Sequence, residues 1–208
     1  MKIFDISWPL SEKTTGYKDR KTVTFESYKT FDVDNFRQSR ITLDAHSGTH
    51  VDAPSHFVAD GKTIDAVPLE RLVGGALVLD FTHEPEAITR EVLQKYDAVI
   101  LPQHIILLKT TNSSTKPDDP FMANFVYLEA TGAEYLRQKG VQSVGIDYLG
   151  IERNQPDHGT HKKLMQYGIV IIEGLRLADV PEGEYFFCCL PLALQGLEAA
   201  PARAILIQ

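Results

Sequence analysis

Short apolar segments recur along the whole chain and predict a protein built mainly from strands. Runs of four to eight residues rich in Val, Ile, Leu, Thr and Phe indicate about ten strands, at 2–6, 22–28, 40–45, 76–81, 98–101, 105–110, 143–147, 169–172, 185–190 and 204–207. Several runs, such as ALVLDF, IILLKT and IVIIEGL, are apolar at successive positions instead of alternating. This pattern is typical of strands that are covered on both faces.

Helical spacing is rarer and appears in three segments, 85–96, 131–139 and 158–167. The first has Thr82 as a candidate cap, and glycines follow the other two. Many strands with few helices predict a mixed α/β fold, with a large mixed sheet or barrel-like β core flanked by a few helices. Because 208 residues suffice for one sizeable core, we expect a single domain over residues 1–208.

The charge balance and the hydropathy of the chain exclude two classes of partner. Lys and Arg number 21 against 28 Asp and Glu, for a net charge of -7, so the basic surface that binds nucleic acid is missing. No run approaches the roughly 18 apolar residues of a membrane-spanning helix. The opening MKIFDISWPL carries Asp5 and Pro9 where an export signal would be apolar. We therefore expect a cytoplasmic protein without nucleic-acid or membrane partners.

Segment 46–57, HSGTHVDAPSHF, holds three of the seven histidines of the chain. His46 comes directly after a predicted strand, and Gly48 permits a tight turn there. Alternation in an extended segment would place His50 and Asp52 on the same side of the chain. Imidazoles and a carboxylate on one rigid turn are ligands that suit a divalent ion, with Zn²⁺ first and Mn²⁺ as the other candidate.

The third histidine of the segment is held by a proline. Pro54 fixes the backbone, which sets His56 at a defined distance from the carboxylate of Asp52. Glycine and proline also argue against a helix in this segment. The pattern therefore differs from the helical HExxH motif of metalloproteases.

A second cluster lies in residues 157–174, DHGTHKKLMQYGIVIIEG. Glu173 ends the most apolar predicted strand, where a carboxylate is costly unless it is paired or binds a metal. His158 and His161 are three residues apart and would share a helix face, so either could add a ligand. The residues alone do not choose between the two.

HSGTHVDAPSHF resembles the HxGTHxDxPxHF signature of the cyclase family, metal-dependent hydrolases that include bacterial kynurenine formamidases and isatin hydrolases. The DIS opening and the ILLKT, VGID and IVIIEGL strands extend this resemblance over nearly the whole chain. It implies a cyclase-like swivelling fold and a homodimer or larger homo-oligomer. It also implies hydrolysis of a C–N bond in a small amide, either an N-formyl amine or a cyclic amide, as in the arylformamidases.

The resemblance also implies a role for each matching side chain around one or two ions, usually zinc. These roles are His46 and His50 as ligands of one ion, Asp52 and Glu173 as bridges, His161 as ligand of the second ion, and His56 as the acid or base. The spacing between His161 and Glu173 agrees with that of the family, which favours His161 over His158.

One departure from the formamidase pattern concerns residues expected in the wall of the substrate pocket. Trp8 stands where those enzymes have the first proline of DISPP, and Tyr17 stands where they have a substrate-contacting tryptophan. We expect Tyr17 and Trp8 to bind substrate, with the polar loop 110–124 as a cover. N-Formylkynurenine itself is then not the expected substrate.

A non-catalytic alternative is a small-molecule-binding protein in which the metal only stabilises the fold. Structural zinc sites usually have four protein ligands, often cysteines. The only cysteines here, Cys188 and Cys189, are adjacent and do not supply that geometry. A serine hydrolase is not supported, because no GxSxG motif is present.

Overall fold

A computed structural model describes all residues, 1–208. The strands are β1 (Ile3–Asp5), β2 (Val23–Lys29), β3 (Gln38–Leu43), β4 (His50–Asp52), β5 (Val73–Asp80), β6 (Ala87–Ile88), β7 (Ile105–Lys109), β8 (Tyr127–Leu128), β9 (Ser143–Ile146), β10 (Val170–Glu173), β11 (Gly183–Pro191) and β12 (Ala199–Ile207). The helices are α1 (Phe31–Asp34), α2 (Arg90–Gln94), α3 (Ala130–Lys139) and α4 (Gly159–Met165). None of these helices has the length and apolar character needed to cross a membrane.

Seven strands close into a barrel in the order β12-β11-β5-β7-β9-β10-β4, and β4 pairs back onto β12. β5, β7, β9 and β10 run parallel to one another, whereas the other pairs in the ring are antiparallel. β1 lies outside the ring on β12. The predicted mixed α/β fold with a barrel-like core is confirmed.

Apolar side chains fill two layers, one inside the barrel and one beneath the helices. In β5, Ala76 and Val78 belong to the inner layer, whereas Leu77 and Leu79 pack in the outer one. β7 alternates in the same way. These parallel strands are therefore covered on both faces, as their continuous apolar runs predict.

Two of the predicted elements are wrong. Residues 98–101 form a turn and its exit, and the backbone N–H groups of Val99 and Ile100 donate to the carbonyl of Tyr96. The predicted helix 85–96 is shorter, because β6 pairs with β8 and Thr89 caps α2 by accepting a hydrogen bond from the N–H of Val92. Thr82 is not its cap.

Candidate active site

Strands β4 and β10 bring the two sequence clusters together. His50 lies directly opposite Glu173 in their antiparallel pairing. Nε2 of His50 is 3.4 Å from Oδ1 of Asp52 and 3.4 Å from Oε2 of Glu173. The alternation along β4 thus places His50 and Asp52 on one side, and all three side chains are buried.

His46 and His56 approach this cluster from the cavity side. Nδ1 of His46 lies 2.9 Å from Oδ1 of Asp52. His56 ends a short 3-10 helix, Pro54–His56, and its ring centroid is 4.4 Å from that of His46. A ligand atom of His56 lies within 4.8 Å of ligand atoms of His46 and Asp52, so the structure brings His56 within reach of the same centre.

Helix α4 contributes His161 to the centre. Its Nε2 is 3.5 Å from Oε1 of Glu173 and 3.9 Å from Oδ2 of Asp52. His158 precedes the helix, is about half exposed, and contacts Glu152 through its Nδ1 at 2.5 Å. Of the two histidines that the sequence left open, His161 is the one beside the carboxylates.

Two glycines allow the loop of His46 and the end of β10 to touch. Gly48 has φ +58° and Gly174 has φ +70°, both in the left-handed region. A Cβ on Gly174 would lie 2.2 Å from the carbonyl oxygen of Gly48, so a larger residue does not fit. The hydroxyl of Thr49 donates to the carbonyl of Gly174 and ties the two segments together.

The donor atoms fit a divalent cation. Nε2 of His50 and both carboxylate oxygens of Asp52 are buried and make no hydrogen bond of normal geometry, although ionisable groups of opposite sign lie close to them. Burial of such polar atoms is costly unless an ion binds them. Nδ1 of His50 lies 2.9 Å from the carbonyl oxygen of Gly48. Because a carbonyl only accepts, it assigns the proton to Nδ1 and leaves the lone pair of Nε2 directed at the carboxylates.

Opposite charges at the centre shift its ionisation strongly. Burial alone would lower the pKa of His50, but Asp52 and Glu173 raise it to about 9. Burial likewise opposes protonation of His161, yet its contacts with Glu152 and Glu173 raise its pKa to about 10. Although burial favours protonated carboxyls, the imidazoles hold the pKa values of Asp52 and Glu173 below their usual range. The cluster therefore favours positive charge among its carboxylates, and a bound metal ion would replace these protons.

Sequence reasoning missed two carboxylates that contact the candidate ligands. Oε2 of Glu152 accepts from the backbone N–H of Thr160 and lies 3.2 Å from Nδ1 of His161, on the side away from Glu173. Oε1 of Glu198 lies 3.3 Å from Nε2 of His46. The only sequence feature that could have indicated Glu152 is its position as an acidic residue at the end of an apolar stretch. No sequence feature indicates Glu198.

If His161 is a ligand, we predict that Glu152→Ala weakens binding of the divalent ion by about 10-fold to 100-fold, the usual effect of removing a carboxylate behind a ligating histidine. Glu152 would hold the His161 ring with Nε2 toward the other ligands. A competition titration with a chromophoric chelator measures the affinity. Glu152→Gln is the matched control, since it keeps an oxygen acceptor for Thr160 and is expected to lose less. Wild-type affinity in Glu152→Ala would contradict this role.

An open cavity of about 750 Å³ lies above the centre. His46, His56, His161 and Glu173 line it, which makes the candidate ligands accessible to a small molecule. Tyr17 forms part of its wall and packs edge-on against Phe121 with ring centroids 4.8 Å apart.

Trp8, which the sequence predicts to bind substrate, does not line the cavity. Its side chain is buried, with its ring edge-on to Tyr148 and the guanidinium of Arg176 4.7 Å above it. Loop 110–124 does not line the cavity either, and reaches it only through Phe121 behind Tyr17. Trp8 belongs to an apolar cluster with Leu149, which lines the cavity, and Tyr17 packs against that cluster.

Comparison with known proteins decides the family. The Cyclase family model matches residues 4–153, more than half of the chain. The chain belongs to the cyclase family. The motif at 46–57 and four of the seven barrel strands, β4, β5, β7 and β9, lie within the matched residues.

Relatives of this cyclase-family protein include enzymes with assigned reactions. The kynurenine formamidase of Salinibacter ruber is 32% identical over 99% of this chain and 97% of the relative. The structure of a predicted metal-dependent hydrolase from Bacillus stearothermophilus is 41% identical, with a TM-score of 0.88 over 99% of this chain and 97% of that one. An isatin hydrolase bound to the product analogue thioisatinate has the same fold, with a TM-score of 0.88 at 20% identity over 99% of this chain and 91% of that chain.

Proposed function

We propose that this protein is a metal-dependent hydrolase that cleaves the C–N bond of a small amide, as arylformamidases do. The similarity to a kynurenine formamidase and to a predicted metal-dependent hydrolase supports this class of activity. One observation on the chain itself carries the proposal. Buried imidazole and carboxylate atoms without hydrogen-bond partners converge beneath an open cavity, where a catalytic metal needs access to substrate.

The ligand set that we propose contains five side chains. His46 and His50 would hold one ion, His161 a second, and Asp52 and Glu173 would bridge the two. Zinc suits this mixture of imidazole and carboxylate best, and manganese is the alternative. When bound, the cation would polarise the carbonyl of an amide and lower the pKa of a water molecule.

His56 is proposed to transfer the proton. It faces the cavity, and its ring makes no hydrogen bond or ion pair with another residue. Burial lowers its pKa, so the imidazole is neutral near pH 7 and one nitrogen is free to accept a proton. The same imidazole can return that proton to the leaving nitrogen.

Removal of the metal with a chelator distinguishes the proposed enzyme from a protein whose fold the metal only stabilises. We expect metal-free protein to lose hydrolysis of a formanilide while its far-UV circular dichroism remains that of the folded barrel. The large apolar layers do not include the proposed ligands, so we expect these layers to hold the barrel together without the ion. An unfolded metal-free chain would instead indicate a structural metal. The relatives with assigned reactions already favour the enzyme.

Tyr17 is proposed to alter specificity at the cavity wall. Its phenol places a hydroxyl where the formamidases that it resembles have a tryptophan, which favours a ligand with a polar group at that edge. We expect N-formylkynurenine to have a kcat/KM below about 10⁴ M⁻¹s⁻¹, lower than that of another small amide. Tyr17→Trp should raise the value for N-formylkynurenine. Efficient cleavage of N-formylkynurenine by the wild type would show that the substitution is neutral.

A further inference from the structure

Strained backbone is concentrated in the wall of the cavity. Six residues other than glycine have left-handed backbone, and three of them, Lys18, Asn154 and His158, line the cavity. Because 17 of the 208 residues line it, even spreading would place about 0.5 of these six there. Asn and His adopt this conformation more readily than Lys, so Lys18, with φ +56°, is the most unusual of the three. Such residues are held by the surrounding structure and are typical of ligand-binding sites.

Hydrogen bonds to another part of the chain hold the segment that carries Lys18. Asp19, which also has left-handed backbone, accepts at its Oδ1 a hydrogen bond of 2.8 Å from the backbone N–H of Phe121. The backbone N–H of Thr15 donates to the carbonyl oxygen of Pro117 at 2.9 Å. Two separate contacts therefore keep this part of the wall in place.

This segment brings two cations to the cavity. Lys18 and Arg20 are the only lysine and the only arginine that line it, and both are exposed. Neither side chain forms an ion pair or a hydrogen bond with the rest of the chain. Nζ of Lys18 lies 5.4 Å from the centroid of the Tyr17 ring, a contact that leaves its N–H donors available. The wall thus presents two cations without a counter-charge.

The carboxylates of the cavity do not neutralise these cations. Glu152 and Glu173 line the cavity as well, but they face the histidines of the centre. Asp44 is the one remaining carboxylate in the lining. Two free cations against one free carboxylate leave this wall positive, and positive charge in a concave site attracts anions.

Tyr17 connects this wall to the centre. Burial raises the pKa of its phenol, the charges of Glu173 and Glu152 raise it further, and Arg20 opposes the rise. Interactions between charges in water fade over about 8 Å, so the phenol lies near both the carboxylates of the centre and Arg20. A small molecule that is bound at the centre and extends past Tyr17 therefore reaches the cations.

We propose that Lys18 and Arg20 determine specificity by binding an anionic group of the substrate, at the end away from the scissile amide. A carboxylate is the simplest such group, because it accepts charge-assisted hydrogen bonds from both side chains. The side-chain amide of Asn154, which makes no hydrogen bond within the chain, supplies a further donor in the same lining. The substrate class is then a small amide with an acidic group. This class rests on the proposed hydrolysis, whereas the binding of the anion does not require turnover.

Two amides of similar shape, 4-formamidobenzoate and 4-formamidobenzamide, test the wall in the metal-loaded enzyme, since they differ in the charge of one end. The test variant is Lys18→Gln/Arg20→Gln. Lys13→Gln/Lys21→Gln is the matched control, because both lysines are exposed, lie outside the cavity lining and remove the same charge. Lys18→Arg/Arg20→Lys keeps both charges and should keep the preference.

The wild type is expected to have a kcat/KM at least about 10-fold higher for the benzoate than for the benzamide, mainly through KM. This is the usual scale of one hydrogen bond to a charged group. The ratio should fall to about one in Lys18→Gln/Arg20→Gln and should persist in the control. A ratio of one in the wild type would contradict the proposal.

Calorimetric titration with the amine products, 4-aminobenzoate and 4-aminobenzamide, measures the same preference without turnover. If neither formamide is cleaved, the proposed function fails, and the titration alone decides whether the wall binds anions. The benzoate product should bind at least about 10-fold more tightly to the wild type and to the control. Equal binding of both products by the wild type, or a preference that Lys18→Gln/Arg20→Gln retains because the metal holds the carboxylate, would overturn the proposal.

Discussion

Asp52→Ala is expected to release the metal and to lower kcat/KM for amide hydrolysis by about 10³-fold or more. Lewis-acid stabilisation of the transition state is worth several kcal/mol, and each 1.36 kcal/mol is tenfold in rate. Asp52 has the largest expected effect because it touches three of the candidate ligands, His46, His50 and His161. Its loss would remove a ligand from both ions.

Elemental analysis of protein purified without a chelator measures this effect directly. The wild type should retain near-stoichiometric zinc or manganese, and Asp52→Ala should lose it. Asp65→Ala is the matched control, because this carboxylate is exposed and accepts a hydrogen bond from the backbone N–H of Gly196, which is not one of the candidate ligands. Stoichiometric metal in the double variant His46→Ala/Asp52→Ala would contradict the ligand assignment.

His56→Ala is expected to keep its metal and to lose about 100-fold or more in kcat, the usual scale of general acid–base catalysis. Retention of the metal is a strict test of this role, because the ring of His56 lies next to that of His46 and within reach of Asp52, close enough to be a ligand itself. Metal content and kcat are therefore measured on the same sample. His83→Ala, at a side chain 58% exposed on the surface, controls for the loss of an imidazole. If the metal disappears together with the activity, His56 is a ligand and its assigned role is wrong.

The candidate residues that sequence reasoning groups most easily are those that are close along the chain. His46, His50, Asp52 and His56 lie within eleven residues, so turn geometry and alternation limit where their side chains can lie. Glu173 was predictable because an unpaired carboxylate at the end of an apolar strand needs a counter-charge. The fold class, with a barrel-like β core, was predictable because the parallel strands carry continuous apolar runs.

Contacts between distant segments account for what sequence reasoning missed. Trp8 is buried because Tyr148 and Arg176 enclose it, and neither is close to it in sequence. Glu152 reaches His161 only because the turn before α4 folds back on the helix. Residues 98–101 have the apolar content of a strand, yet Val99 and Leu101 are about half exposed in a turn. Composition cannot show which apolar residues find a covering surface.

Reconstitution of the metal-free protein tests the central claim most directly. Protein stripped with a chelator and then given zinc in steps is assayed for bound metal and for formanilide hydrolysis in the same samples. The proposed function predicts no hydrolysis in the stripped protein, and a rate that rises with bound zinc to a plateau at one or two ions per chain. Full activity in protein that retains no metal would contradict it.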